Sequence, residues 1–111
     1  MSAVAVFKAL GEPKRLAIIE RLVAKPRQQI GVLTEGLGLS RQGARQHLQV
    51  LADAELVSLH PQGREVWIEL ESERLAEAKR FIEKLEREWD ARLDVLKRNI
   101  ENDPRDSQAD H

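Results

Sequence analysis

The 111-residue chain has no cysteine and few aromatics, two phenylalanines and two tryptophans. Without thiols it forms neither a disulfide nor a thiolate metal site, a composition that fits a reducing cytoplasm. No apolar run approaches the roughly 20 residues of a membrane span. The opening MSAVAVFKALGEPKR lacks the basic start and long apolar centre of a signal peptide. The expectation is a cytoplasmic protein without membrane association.

Catalytic chemistry is equally sparse. No glycine-rich loop of the phosphate-cradling kind is present. His47, His60 and His111 show no metal-ligand spacing, so no metal and no other cofactor is expected. Ser40 and His47 would stand about 10 Å apart along a helix, too far for a nucleophile and its base. Glu83, Glu86, Glu88 and Asp90 are interleaved with Lys84, Arg87 and Arg92 in the manner of a solvated helix face. No catalytic residue is assigned and no enzymatic activity is expected.

What the chain does have is a patterned centre. From Ile30 to Leu51 it reads IGVLTEGLGLSRQGARQHLQVL. Leu33 and Leu37 fall at i, i+4; Ala44, Leu48 and Leu51 fall at i, i+4, i+7. Gly38 stands between the two sets, where a tight turn between helices needs a positive φ. Ser40 is placed to cap the second helix, which is expected to run to about Ala54. With the apolar positions turned inward, Arg41, Gln42, Arg45, Gln46 and Gln49 remain on the outer face. Arg and Gln carry the paired donors and acceptors that match guanine and adenine edges in the major groove. This is a helix-turn-helix pattern, with Ser40, Arg41, Gln42, Arg45, Gln46 and Gln49 as candidate DNA contacts. Gln42 and Arg45 are the expected base readers, and Arg41 the expected phosphate contact.

The flanks complete a winged helix. Ala3–Leu10 and Pro13 to about Ala24 read as helices. Leu56–Leu59 is β-like, Pro61-Gln62-Gly63 reads as a turn, and Glu65–Leu70 alternates Val66, Ile68 and Leu70 with Glu65, Trp67 and Glu69. Gln62 and Arg64, at the tip, are further candidate DNA contacts. His47, between the two faces of its helix, is expected to be a half-buried hydrogen-bonding residue.

Ser72–Glu101 reads as one amphipathic helix with Leu75, Ala78, Ile82, Leu85, Trp89, Leu93, Leu96 and Ile100 in a near-heptad broken by one four-residue stutter. Thirty residues span about 45 Å, more than so small a domain covers, so part of the stripe is expected to meet a second copy of the chain. The expected dimer contacts are Val4, Phe7, Leu75, Ala78, Ile82, Leu85, Trp89, Leu93 and Leu96. Residues 1–101 form the expected DNA-binding and dimerisation domain, and residues 102–111 a disordered tail. Charge divides the same way. Residues 1–64 carry nine basic against five acidic groups, a net +4; residues 65–111 carry nine against fourteen, a net −5.

The chain resembles the ArsR/SmtB family of bacterial winged-helix repressors over about Phe7 to Ile100. FKALGEPKRLAIIERL is similar to the family's opening, GLGLSRQGARQHLQVLADAELV to its reading motif, and LHPQGREVWIEL to its wing. EWDARLDVL is similar to the closing helix of a metal-independent branch. The resemblance implies a mostly α fold with a small β-wing: a winged helix-turn-helix with a long C-terminal dimerisation helix. It also implies a homodimeric repressor of a palindromic operator. Metal-sensing members carry a Cys pair where this chain has Val32, Leu33 and Thr34, or His and Asp ligands on the last helix, which here has no His. Glu55 replaces the family's frequent Gly after the reading helix. Two other readings remain: a winged-helix protein-interaction module without DNA binding, and a metal sensor with oxygen and nitrogen ligands. The sequence identifies no small-molecule effector.

Overall fold

The computed structural model of the chain describes residues 3–102. The elements run α1 (Ala3–Leu10), α2 (Pro13–Ala24), β1 (Arg27–Gln29), α3 (Ile30–Leu33), α4 (Arg41–Asp53), β2 (Val57–Gln62), β3 (Glu65–Leu70) and α5 (Ser72–Asn102). The helical content, small antiparallel sheet and long final helix are those expected from the sequence. By its internal contacts the chain divides into two compact units, residues 1–78 and 79–111. Among the described residues no helix is long and apolar enough to cross a membrane. Of the expected tail, residues 102–111, Asn102 is instead the last residue of α5, and residues 103–111 lie outside the described residues.

The first unit is organised around one apolar cluster. Ile18, Leu22, Leu33, Leu48, Leu51, Leu56 and Ile68 are its largest fully buried side chains. Burying each of these side chains contributes about 1.5–3 kcal/mol. Helix starts follow local chemistry. Pro13 occupies the first turn of α2, and the Glu12 carboxylate accepts the Arg15 N–H at 2.9 Å. The Ser40 hydroxyl accepts the Gly43 N–H at 3.0 Å to cap α4. A Cβ on Gly43 would lie 3.2 Å from that hydroxyl, so the bare position leaves room for the cap.

α4 ends in a Schellman motif. The Leu56 N–H reaches the Leu51 carbonyl and the Glu55 N–H the Ala52 carbonyl, both at 2.9 Å. Residue 55 must then be left-handed, and Glu55 is, at φ 60. The position favoured for glycine is used in the glycine conformation although a glutamate occupies it.

Three expectations are corrected. The first helix of the reading motif stops at Leu33 and does not run to Leu37. Thr34 turns its hydroxyl back onto the Ile30 carbonyl at 2.9 Å, and Gly36 adopts φ 79. Arg21 of α2 then holds the turn, donating to the Leu33 and Glu35 carbonyls at 2.8 and 2.7 Å. The sheet has three strands, not two, in the order β1-β3-β2, because Arg27–Gln29 pairs antiparallel with Trp67–Glu69. The hairpin turn is Gly63-Arg64, not Pro61-Gln62-Gly63: Pro61 pairs with Val66 and Gln62 with Glu65. Pro61 fits a strand there because β2 is an edge strand, where one side needs no N–H donor.

The second unit is the continuation of α5 from Lys79. Its apolar side chains are solvent-exposed in the single chain; Leu85 is 47% and Trp89 59% accessible. Ala78, expected at a dimer contact, belongs instead to the core of the first unit, 7% exposed among its own residues. Its single methyl is consumed by that packing.

Candidate nucleic-acid interface

α4 presents two polar rows. Arg41 and Arg45 stand one turn apart, and Gln42, Gln46 and Gln49 form the adjacent row; all five are exposed. The inner face of α4, Ala44, Leu48 and Leu51, is buried, which fixes the rotation of the helix and therefore which side chains point outward.

α4 is latched from beneath. Half-buried His47 takes a hydrogen bond at Nδ1 from the Arg15 guanidinium at 3.1 Å, while Arg15 Nε donates to the Ala9 carbonyl at 2.7 Å. An arginine donor requires Nδ1 to be the bare nitrogen, so the proton of the neutral ring sits on Nε2. Glu12 lies 3.8 Å from the same Nδ1. The expected structural role of His47 is therefore met, by partners on α2 that sequence order did not indicate.

The wing places Arg64 beside the α4 arginines. Gly63, at φ 63, and Arg64 form the two-residue turn closing the Gln62–Glu65 pair. Arg64, Arg41 and Arg45 line one open groove of about 550 Å³, with Ser40 at the start of α4 and Gln29 and Thr34 on the α3 side. Among the described residues no acidic side chain lines it. Three guanidiniums around a concave surface, undiluted by carboxylates, focus a positive potential suited to an anionic polymer.

The other candidates lie outside this groove. Gln42 and Gln46 are exposed on the neighbouring row. Gln49, at the far end, donates its amide to Asp53 at 2.8 Å, so reaching a base would require breaking that bond. Gln62 is exposed at the end of β2. Of the expected dimer contacts, Val4 is 67% exposed, Phe7 and Leu75 pack against the core, and Ile82, Leu85, Trp89, Leu93 and Leu96 are exposed along α5.

Several positioning residues were not legible in the sequence. Arg21 holds the end of α3. The Gln28 amide donates to the Arg21 and Lys25 carbonyls, both at 2.9 Å, closing the end of α2. The Arg27 guanidinium stacks 4.3 Å over the Trp67 ring. Arg21 and Arg27 act through partners distant in sequence and Gln28 through a reversal of the chain, none of which a helical or strand period encodes. Among the described residues no group of three or more His, Cys, Asp or Glu side chains is placed to hold a metal.

Residues 10–60 match a family described as a helix-turn-helix domain. No curated protein matches. Among solved structures, an ArsR-like transcriptional regulator from Rhodococcus sp. RHA1 is 31% identical, with 86% of this chain and 90% of that chain covered at a TM-score of 0.71. HlyU from Vibrio cholerae is 33% identical, with 77% and 88% covered at a TM-score of 0.60. A possible transcriptional regulator for arsenical resistance is 27% identical, with 84% and 93% covered at a TM-score of 0.66.

Proposed function

The chain belongs to the ArsR family of winged-helix transcriptional regulators, DNA-binding proteins rather than enzymes, and from that premise we propose that it is a homodimeric repressor of a near-palindromic operator. The observation that carries the reading is the acid-free groove shared by Arg41, Arg45 and Arg64. In a winged helix, α4 enters the major groove, where Arg45 reads a guanine edge and Gln42 an adenine. Arg41 and Arg64 meet the phosphates on either side.

The second copy is supported by α5, whose Ile82, Leu85, Trp89, Leu93 and Leu96 are 41–59% exposed along one helix. An apolar face of that length is covered in a stable soluble protein, and a self-complementary seam is the simplest cover. A two-fold dimer presents two α4 helices to successive turns of one DNA face, about 34 Å apart. Bound there, it blocks polymerase access to an overlapping promoter. A signal that favours a dimer with a different α4 separation releases it.

The test is selection of bound duplexes from a random library, followed by footprinting on the enriched sequence. Two half-sites about one helical turn apart, protected by two copies of the chain, are expected. Enrichment of a single unpaired half-site, or of no sequence, overturns the palindromic reading.

A further inference from the structure

Gln29 stands at the junction of β1 and α3, a residue without an obvious role in a run of polar side chains. Its backbone is fixed by pairing with Trp67 in the sheet. Its side chain is fixed as well: Oε1 accepts the Val32 N–H at 3.2 Å, capping α3. An N–H can be met only by the amide oxygen, so the orientation of the carboxamide is determined and its NH₂ is the free end. Nothing among the described residues accepts from that NH₂, and Gln29 lines the groove shared with Arg41, Arg45 and Arg64.

Gly31 keeps this arrangement open. A Cβ at residue 31 would lie 3.0 Å from Gln29 Oε1 and 3.6 Å from Nε2. The chain therefore leaves a gap where the carboxamide rests, two residues after it.

We propose that Gln29 is a DNA-backbone contact, donating from Nε2 to a phosphate oxygen of the strand that lies between α4 and the wing. The inference rests on the DNA-binding reading of the groove. A glutamine reads adenine by using its oxygen and its nitrogen together. Gln29 has its oxygen committed to Val32, so what it has left to offer the groove is a donor, and phosphate oxygens only accept. Gln29 thus positions the duplex and carries no sequence preference. It is neutral, so it releases no counterion and leaves the salt dependence unchanged.

The experiment uses the full chain with a duplex enriched from a random library and a scrambled duplex of the same composition. In Gln29→Ser a hydroxyl, itself a favoured helix cap, replaces the carboxamide, so α3 keeps a cap while the reach into the groove is lost. Affinity for both duplexes is expected to fall about tenfold, with an unchanged ratio, salt slope and thermal midpoint. Should Gln29→Ser destabilise the fold, Gln29→Glu keeps the capping oxygen and is compared with Val32→Glu, which adds the same charge at an exposed neighbour outside the groove. The Gln29 variant is expected to lose at least tenfold more. Wild-type affinity in Gln29→Ser, or equal losses in the two Glu variants, overturns the contact. A loss confined to the enriched duplex overturns the phosphate assignment. Failure of the wild-type chain to bind any duplex removes the DNA-binding reading itself, a different result from wild-type binding with an indifferent Gln29.

Discussion

Arg74, in the first turn of α5, holds the carboxylate of Glu55, the one non-glycine residue at positive φ among the described residues. The same guanidinium donates to both oxygens of Glu77 at 2.9 and 2.8 Å. The end of the reading helix and the start of the long helix are thus tied through a residue in a backbone conformation that costs a non-glycine about 1–2 kcal/mol. Glu55→Gly is expected to leave stability unchanged or raise it by up to about 1 kcal/mol, the relieved backbone offsetting the lost ion pair. Glu55→Val loses the pair and adds a β-branched side chain at positive φ, and is expected to be the less stable variant by about 2 kcal/mol. Urea unfolding of the two variants decides; equal midpoints would show that residue 55 does not hold its left-handed conformation in solution.

Acid should weaken the start of α2. The Arg15 N–H bonded to the Glu12 carboxylate holds that carboxyl below its ordinary value of 4.5; desolvation opposes it, and the nearby His47 charge, the Lys14 N–H and the Arg15 charge add lesser lowering effects. A depressed folded-state pKa gives stability that is fully present above 4.5 and is lost as pH falls through the folded value. The urea midpoint of wild type is therefore expected to drop more steeply below pH 4.5 than that of Glu12→Gln, which is already less stable at neutral pH. Parallel curves would mean that the cap is not formed.

Much of the architecture was legible because it rests on local chemistry. Ser40, Pro13 and Gly38 each mark a boundary by a property of their own, and Val66, Ile68 and Leu70 show a strand through their period. The failures share a different cause. β1 is three polar residues whose only reason to be a strand is the edge that β3 offers them. α3 stops at Leu33 because a side-chain hydroxyl, a left-handed glycine and a guanidinium from another helix outweigh an apolar pair at i, i+4. The Arg41–Arg45 row was visible as a helix face. That Arg64 shares its groove depends on the turn lying at Gly63-Arg64, and the position of that turn is set by pairing across the hairpin.

The exposed stripe of α5 gives a direct test of self-association. Leu85→Asp or Trp89→Asp puts a carboxylate into the proposed seam, where an unpaired charge costs several kcal/mol. Both positions are solvent-exposed in the single chain, so helix content should be retained while the sedimentation coefficient falls to that of a monomer. If both variants sediment as wild type does, the seam lies elsewhere.

Arg45→Ala and Arg64→Ala should fail differently. Loss of a bidentate arginine–guanine contact costs about 1–3 kcal/mol and relaxes preference at that base pair. Loss of a phosphate contact weakens enriched and scrambled duplexes alike and lowers the salt slope by about one. Titrations at several salt concentrations separate the two. If Arg45→Ala weakens both duplexes equally while Arg64→Ala abolishes discrimination, the helix and the wing have exchanged roles.

The two rims of the small sheet have a consequence for how copies of the chain meet. β1 has only three residues, is entered from Pro26 and passes straight into α3, so it offers almost no backbone for another strand to zip onto. On the opposite rim, β2 carries Pro61, which has no N–H to offer a newcomer. Edge-to-edge pairing through this sheet is thereby disfavoured at both rims. If copies of the chain associate, the contact falls to helical surfaces rather than to the sheet.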